Sequence, residues 1–320
     1  MARKLRLQYA GAVYHVINRG NYRRDVFETA DKAKSFEACL FEAAERMGWR
    51  LQAYALMRNH YHLAVETPQP NLVEGMHWLQ GTFATRFNRF RDERGHLFQG
   101  RYQALMIEPG QAEGRVANYI HLNAVRAGIV PVEQLAEFRW SSLRGFIRRD
   151  GPGCLSAAWL EPLGFADDAA GLMHYVSYLA ELAGNKNAQA AQGFDAMSRG
   201  WAIGTAGWRK ALAKEHAHLA LSAGVPHREL AELKRVQWEL ELARLMHKTG
   251  RTPAESAQAR KSAPWKIALA AAMRRKTTAS NRWLSEALHM GSGNALGAYL
   301  CRVKSGTLII QQVEALYLEQ

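Results

Sequence analysis

Tyr54-Ala-Leu-Met-Arg-Asn-His-Tyr-His-Leu-Ala-Val-Glu66 places two histidines, His60 and His62, on either side of one tyrosine and follows them with an apolar run. The run Leu63-Ala64-Val65 marks the stretch as a strand. In a strand, residues i and i+2 share a face about 6.6 Å apart, so both imidazoles address one ion or one phosphate while Tyr61 turns away. Two same-face histidines make half a metal site, because a catalytic metal usually takes three protein groups and keeps one position open. A pair of half-exposed surface histidines in a basic protein gives the same pattern, so these residues alone leave both readings open.

The flanks supply a frame for that strand. Ala12 to Asn18 is β-branched and aromatic and runs into the turn Arg19-Gly20-Asn21, a first strand. Residues 30–48, with Phe36, Leu40, Phe41 and Ala44 at helical spacing and Gly48 as a stop, predict a helix. Residues 49–57 predict a second strand, and the His60 stretch is the third, across the short turn Arg58-Asn59. Residues 72–92 repeat apolar groups at Leu72, Met76, Leu79, Phe83, Phe87 and Phe90, a second helix with Arg86, Arg89, Arg91 and Arg94 toward its end. Residues 102–107 give a fourth strand, and residues 111–127 a third helix ending near Gly128.

The order β-α-β-β-α-β-α is the split βαβ pattern of ferredoxin-like and RNA-recognition-motif sheets, an α+β fold with an added helix. Such an antiparallel sheet can leave one face open to a ligand. On the third helix Tyr119 and Asn123 stand at i and i+4, so a phenol and an amide oxygen point the same way. His121 lies about 200° around the helix from Tyr119 and faces elsewhere. For Tyr119 alone, a half-buried packing role is the alternative.

Composition limits the class of protein. A length of 320 residues allows two domains, or one with a substantial extension. No run approaches 18 uncharged apolar residues, and Met1-Ala-Arg-Lys-Leu-Arg lacks an apolar signal core, which predicts a cytoplasmic protein. Cys39, Cys154 and Cys301 lie far apart and predict no disulfide framework. The net charge of +13 is uneven. Residues 1–150 hold 22 Lys and Arg against 15 Asp and Glu, residues 151–250 hold 10 against 10, and residues 251–320 hold 10 against 4. A basic excess at both ends predicts two polyanion-binding surfaces, against the plainer reading of solvated basic side chains.

Four separated motifs then agree in order and spacing: Tyr14-His-Val-Ile-Asn-Arg-Gly-Asn, Met57-Arg-Asn-His-Tyr-His-Leu, Phe98-Gln-Gly-Arg-Tyr and Tyr119-Ile-His-Leu-Asn-Ala-Val-Arg-Ala-Gly-Ile-Val. Together they resemble the single-tyrosine HUH transposases of the IS200/IS605 type, and within them the REP-associated tyrosine transposases, over roughly residues 1–145. The resemblance implies a metal-dependent endonuclease and strand transferase of single-stranded or hairpin DNA with a 5′-phosphotyrosine intermediate. It makes Tyr119 the nucleophile and His60, His62 and Asn123 the ligands of Mg²⁺ or Mn²⁺. Where many relatives read Asn-Pro-Val-Arg this chain reads Asn-Ala-Val-Arg, which frees the helix to continue past Asn123. Arg19, Asn21, Arg86, Arg89, Arg101 and Arg126, with the aromatic rings of Tyr22, Phe98 and Tyr102, are the candidates for holding an unpaired strand.

Residues 1–150 are thus expected to form the nuclease domain and residues 151–255 a helical linker region, with a mobile, Ala-, Gly-, Asn- and Gln-rich connection over 184–207 and an apolar helical stripe over 208–248. In residues 256–320, helices over 265–275, 278–290 and 294–304 around the turn Gly291-Ser-Gly293 predict a helix-turn-helix that contacts duplex through Arg282, Arg302 and Lys304, with Arg274, Arg275 and Lys276 nearby. The protein is expected to act as a monomer or a homodimer. The competing reading is a transcriptional regulator that keeps a degenerate nuclease fold. An RNA-binding module would account for the sheet but not for Tyr119 beside two histidines and an amide.

Overall fold

The computed structural model describes residues 7–91, 94–216 and 231–304, and the chain divides into two compact units between Arg209 and Lys210. In the first unit the predicted order holds: β1 (Ala12–Arg19), α1 (Ala30–Met47), β2 (Arg50–Leu56), β3 (His60–Thr67), α2 (Leu72–Arg91), β4 (Gln103–Ile107) and α3 (Gln111–His121). The strands lie in the order β2-β3-β1-β4, every one of these neighbours antiparallel. A fifth strand absent from the sequence expectation, β5 (Ala202–Ile203), adds in parallel to β4 and makes the sheet mixed.

Pairing fixes the faces. Ile17 stands opposite His62, Arg19 opposite His60 and His15 opposite Ala64, so His15, His60 and His62 all belong to one face. The other face carries Tyr61, which α1 and α2 cover. Its ring packs 4.8 Å from that of Phe36 and 5.8 Å from that of Phe98, and its hydroxyl accepts from Gln80 Nε2 at 2.7 Å. Gly48, at φ 66°, ends α1 in the left-handed turn that returns the chain as β2.

The histidine face is not open. Ala53, Ala55 and Ala64 present only methyl groups there, and Val116, Ala117 and Ile120 of α3 join them in one core. The same core takes in Leu143 and Phe146 of α5 (Ser142–Arg148), Trp159 and Leu160, Leu172, Tyr175, Leu179 and Leu182 of α6 (Ala169–Gly184), and Phe194 and Met197 beyond α7 (Lys186–Ala191). Residues 151–209 are therefore part of the first unit's core. The nuclease-domain boundary expected near residue 150 moves to the division at Arg209, and the connection expected over 184–207 is α7, a turn and β5. The physical reason is the sheet's second face, which α3 alone is too narrow to cover.

The helix expected over 111–127 is broken at Leu122 and resumes for one turn as α4 (Asn123–Arg126) before Gly128, at φ 67°. Of the helical stripe expected over 208–248, the described parts are α8 (Ala206–Glu215) and α9 (Ala231–Lys248), while Leu219 and Leu230 lie outside the described residues.

In the second unit α9 shares a core with α11 (Pro264–Lys276), α12 (Asn281–Ala287) and α13 (Gly293–Lys304), built on Leu245, Leu269, Met273, Leu284, Leu288 and Leu296, and α10 (Pro253–Gln258) is tied to it by the buried Ser256 hydroxyl, which donates to the Leu288 carbonyl at 3.0 Å. Ser280 caps α12 by accepting from the Trp283 amide. A Cβ on Gly293 would lie 3.1 Å from the Arg282 nitrogen, so a glycine lets α13 start against α12. The buried ammonium of Lys266 donates to the carbonyls of Ser256 and Ala259 at 2.7 and 3.0 Å, closing the end of α10. Lys266 thus holds the unit together and contributes no surface charge.

Trp159 is fully buried against His121, Phe146 and Tyr175. Its replacement by alanine is expected to lower stability by about 3–5 kcal/mol, read from urea unfolding. A chain ending at residue 150 should lose the cooperative transition that one ending at residue 216 retains. Retention of that transition by the shorter chain would show that the extension is dispensable for the core.

Candidate active site

Four aromatic rings meet where β1, β3 and α3 come together. The rings of His60 and His62 stand 5.2 Å apart, His62 and Tyr119 5.6 Å, and His15 and Tyr119 5.7 Å. His15 and His62 stack at 5.2 Å. The strand's period of two puts His60 and His62 on one face, as the sequence predicts, and α3 lays Tyr119 against His62 and His15, with Asn123 beyond the break at Leu122 as the first residue of α4. Tyr119 keeps only 8% of its surface exposed.

His121 is absent from this cluster, also as predicted. Its Nδ1 meets the Tyr175 hydroxyl at 3.0 Å and its Nε2 the Ser142 hydroxyl at 2.9 Å, inside the core.

Each site histidine is held at Nδ1. His60 Nδ1 lies 2.8 Å from Asn59 Oδ1, and His62 Nδ1 lies 3.0 Å from His15 Nε2. His15 Nδ1 in turn lies 2.8 Å from the Met197 carbonyl. Burial lowers the pKa of His15 to about 4 against the pull of that carbonyl, lowers His60 to about 4 with help from Arg19, and holds His62 well below its usual range, with His15, His60, Arg126 and Arg19 adding to the effect. All three are neutral at pH 7, the form in which imidazole binds a metal.

Imidazole nitrogens with an amide oxygen suit Mg²⁺ or Mn²⁺ only if the amide is free to turn to them. Asn123 is buried with its amide nitrogen unpartnered, and turning the amide over puts the oxygen at that position, so the donor set fits such an ion. Among the described residues no group of three His, Cys, Asp or Glu side chains gathers in a metal-binding cluster.

The predicted strand-holding residues separate. Arg126 lies over Tyr119, its guanidinium carbon 4.8 Å from the ring centroid, and over Phe194 at 5.2 Å. Arg19 is exposed beside His60, and Asn21 is tied into the adjoining turn by its amide to the Leu97 carbonyl at 2.8 Å. Arg101 is exposed just before β4. Arg86 and Arg89 belong to α2 on the opposite face, and Arg86 is engaged with Glu42 at 3.0 Å and with Cys39 Sγ at 3.1 Å. The side chain of Arg91 lies outside the described residues. Phe98 and Tyr102, expected to stack on bases, are buried instead because the Tyr61 side of the sheet needs them as core. Tyr22 is 93% exposed and sits at φ 51° in the turn between β1 and α1, whose Arg23 carbonyl is gripped by Asn59 Nδ2 at 3.2 Å.

Four residues of the cluster were not assigned from sequence. His15 stood in a quoted motif, and the pairing of β1 with β3 brings it to the site. Asn59 adjoins His60. Phe194, with its ring 5.4 Å from Tyr119 at right angles, and Met197 lie in a segment without apolar periodicity.

Residues 8–123, which include His15, His60, His62, Tyr119 and Asn123, match the sequence model of a family described as IS200-like transposases. Two solved structures are similar to this chain. One is a REP-associated tyrosine transposase bound to a REP hairpin, at 15% identity and TM-score 0.39, matched over 48% of this chain and 90% of that one. The other is a candidate transposase of Deinococcus radiodurans R1, at 23% identity and TM-score 0.28, matched over 42% and 95%. A comparison with curated proteins found no match.

The buried neutral histidines carry a pH dependence. His121, lowered by burial to about 3, and His15 at about 4 bind protons more weakly folded than unfolded, where the value is about 6.5. The unfolded chain takes up more protons below pH 6.5, so this stability is present above that pH and is lost as pH falls toward 4. The urea midpoint should fall over that range, and His121→Gln should make the fall shallower. An identical slope in the variant would show that His121 is not buried neutral.

Proposed function

We propose, with the match of residues 8–123 to the IS200-like transposases as premise, that this protein is a metal-dependent endonuclease and strand transferase of single-stranded or hairpin DNA. The observation that carries the reading is the Tyr119 ring 5.6 Å from that of His62, which itself stands 5.2 Å from His60. A packing tyrosine has no need of two neutral histidines ranged against it.

In this reading Tyr119 Oη attacks the scissile phosphorus. The bond from phosphorus to the 3′-oxygen breaks, the phenol proton passes to solvent, and the 3′-oxygen leaves as a hydroxyl after taking up a proton. The 5′-phosphate remains on Tyr119 as a phosphodiester, so attack by another 3′-hydroxyl reverses the step and joins a new strand. His60, His62 and Asn123 are the residues that would hold Mg²⁺ or Mn²⁺, which when bound supplies polarisation of the phosphate and neutralisation of its charge. Arg126, held over the Tyr119 ring, brings a cation to the same phosphate, and Phe194 keeps both from swinging away. Arg19 and the exposed ring of Tyr22 offer a backbone contact and a stacking surface to the unpaired strand next to His60.

The second unit is assigned to flanking duplex, with α12 and α13 as a helix-turn-helix. Arg302 is exposed on α13, and Lys304 ends that helix with its side chain outside the described ones. Arg282 is in an ion pair with Glu286 at 3.1 Å and Arg274 donates to the Ala279 carbonyl at 2.8 Å, so each must give up that partner to reach a phosphate.

Labelled hairpin DNA incubated with Mn²⁺ should give a covalent adduct on a denaturing gel. Tyr119→Phe should abolish both cleavage and adduct with hairpin binding nearly unchanged. EDTA should stop the wild type, with Mg²⁺ or Mn²⁺ restoring it but not restoring His60→Ala. An adduct in the phenylalanine variant moves the nucleophile elsewhere, and full activity in EDTA removes the metal.

Affinity measured against salt tests the duplex surface. Each lost phosphate contact lowers the slope of log affinity on log salt by about 0.9 on duplex. Arg302→Ala with Lys304→Ala should flatten the slope on a duplex-flanked hairpin and leave a bare hairpin unaffected. Equal slopes for wild type and variant on the flanked substrate would assign α13 to packing or to a protein partner.

A further inference from the structure

We propose that the Met197 carbonyl and His15 form a relay that fixes the tautomer of His62, so that a segment beyond the matched residues sets which nitrogen of this histidine is offered to the reaction. The inference rests on the proposed metal site for its purpose, but on hydrogen-bond geometry for its content.

The argument begins at the carbonyl. Met197 O can only accept, and His15 Nδ1 lies 2.8 Å from it in the core, so that nitrogen carries the proton. A neutral imidazole protonated on Nδ1 has its lone pair on Nε2. That lone pair faces His62 Nδ1 at 3.0 Å, which is a stable contact only if His62 Nδ1 is the donor. The proton of His62 is therefore on Nδ1, and the lone pair of its Nε2 is free for a metal.

His60 reaches the same state by a separate device. Asn59 Nδ2 lies 3.2 Å from the Arg23 carbonyl, which orients the amide so that Oδ1 accepts from His60 Nδ1 at 2.8 Å. Two histidines on one strand are thus prepared alike, one by its chain neighbour and one through His15 by Met197, which lies 182 residues beyond His15 in sequence.

The far end of the relay is firmly held. Gly193, at φ 78°, opens the turn Phe194–Ala196, and the Met197 amide returns to the Phe194 carbonyl at 3.3 Å. Gln103 Nε2 of β4 then grips the Ser198 carbonyl at 3.0 Å, and the Met106 amide bonds the Trp201 carbonyl at 2.9 Å. The same turn presses Phe194 against Tyr119, so one short segment positions the nucleophile's ring and one ligand's proton. His15 is on this account a positioning residue, with no contact to substrate required of it.

The test reads protons directly, in metal-free protein. Long-range ¹H–¹⁵N correlation on ¹⁵N-histidine-labelled chain should show His62 protonated on Nδ1 in the wild type. His15→Gln should keep that state, since a carboxamide can donate to Met197 and accept from His62. His15→Leu should move the proton to Nε2 or mix the tautomers, and weaken Mn²⁺ binding, followed by the free-ion resonance, about 10–100-fold. Protonation on Nε2 in the wild type overturns the relay, and so does His15→Leu with tautomer and Mn²⁺ affinity unchanged. If the leucine variant fails to fold, the wild-type and glutamine spectra still decide. Failure of the metal reading looks different: a wild type with Nδ1 protonated on both His60 and His62 that binds no Mn²⁺ keeps the relay and removes its ligand.

Discussion

The register between β1 and β3 is the constraint on which everything else in the first unit depends. Its pairing sets Ile17 against His62, Arg19 against His60 and His15 against Ala64. A slip of β3 by one residue against β1 would carry His60 and His62 to the side of Phe36 and Phe83, away from His15, and turn Tyr61 and Leu63 toward α3. The apolar pattern resists such a slip at both faces. Tyr61 fits a ring cluster only on its own side, and Ala53, Ala55 and Ala64 leave room for α3 only on the other. The site is therefore placed by the same alternation that makes the core, with no separate scaffold.

Covering the histidine face has a chemical effect as well as a packing one. Trp159, Tyr175 and Phe194 exclude water from the face that the sheet pattern alone would leave open. Exclusion of water lowers the proton affinity of His15, His60 and His62, which keeps them neutral and fit for a cation. A neutral imidazole in a dry site must still satisfy its N–H, and Asn59 Oδ1 and the Met197 carbonyl meet that demand directly for His60 and His15. Packing, protonation and orientation are in this way consequences of one layer, much of it from residues 151–209.

Local signals were read correctly from the sequence and long-range ones were not. The shared face of His60 and His62 follows from a period of two, and the exclusion of His121 from a period of 3.6; both are properties of a few adjacent residues. The strand order followed from the sequence of elements, and the transposase resemblance rested on motifs inside the matched segment. Phe194 and Met197 had no such marker, because a backbone carbonyl has no residue type and one phenylalanine in an Ala-, Asn- and Gln-rich stretch has no periodicity. Phe98 and Tyr102 failed in the opposite sense. Aromatic side chains suit a base and a core equally well, and only the finished sheet shows which partner is present.

Charge totals say less than they promise for a related reason, since a formal charge is a sum over groups with different surroundings. Of the basic residues that give the last 70 positions their excess, Lys266 is buried under two carbonyls, Arg274 ties down a turn and Arg282 answers Glu286. A guanidinium already paired must break that pair to reach a phosphate, so its gain on binding is a difference between two favourable contacts. The same reasoning separates Arg86, engaged with Glu42 and Cys39 on the far side of the sheet, from Arg126, whose guanidinium lies over the rings of Tyr119, the proposed nucleophile, and Phe194. What a cation contributes to recognition therefore depends on what it must give up, and an ion-paired guanidinium and one stacked on aromatic rings are not equivalent candidates for a phosphate.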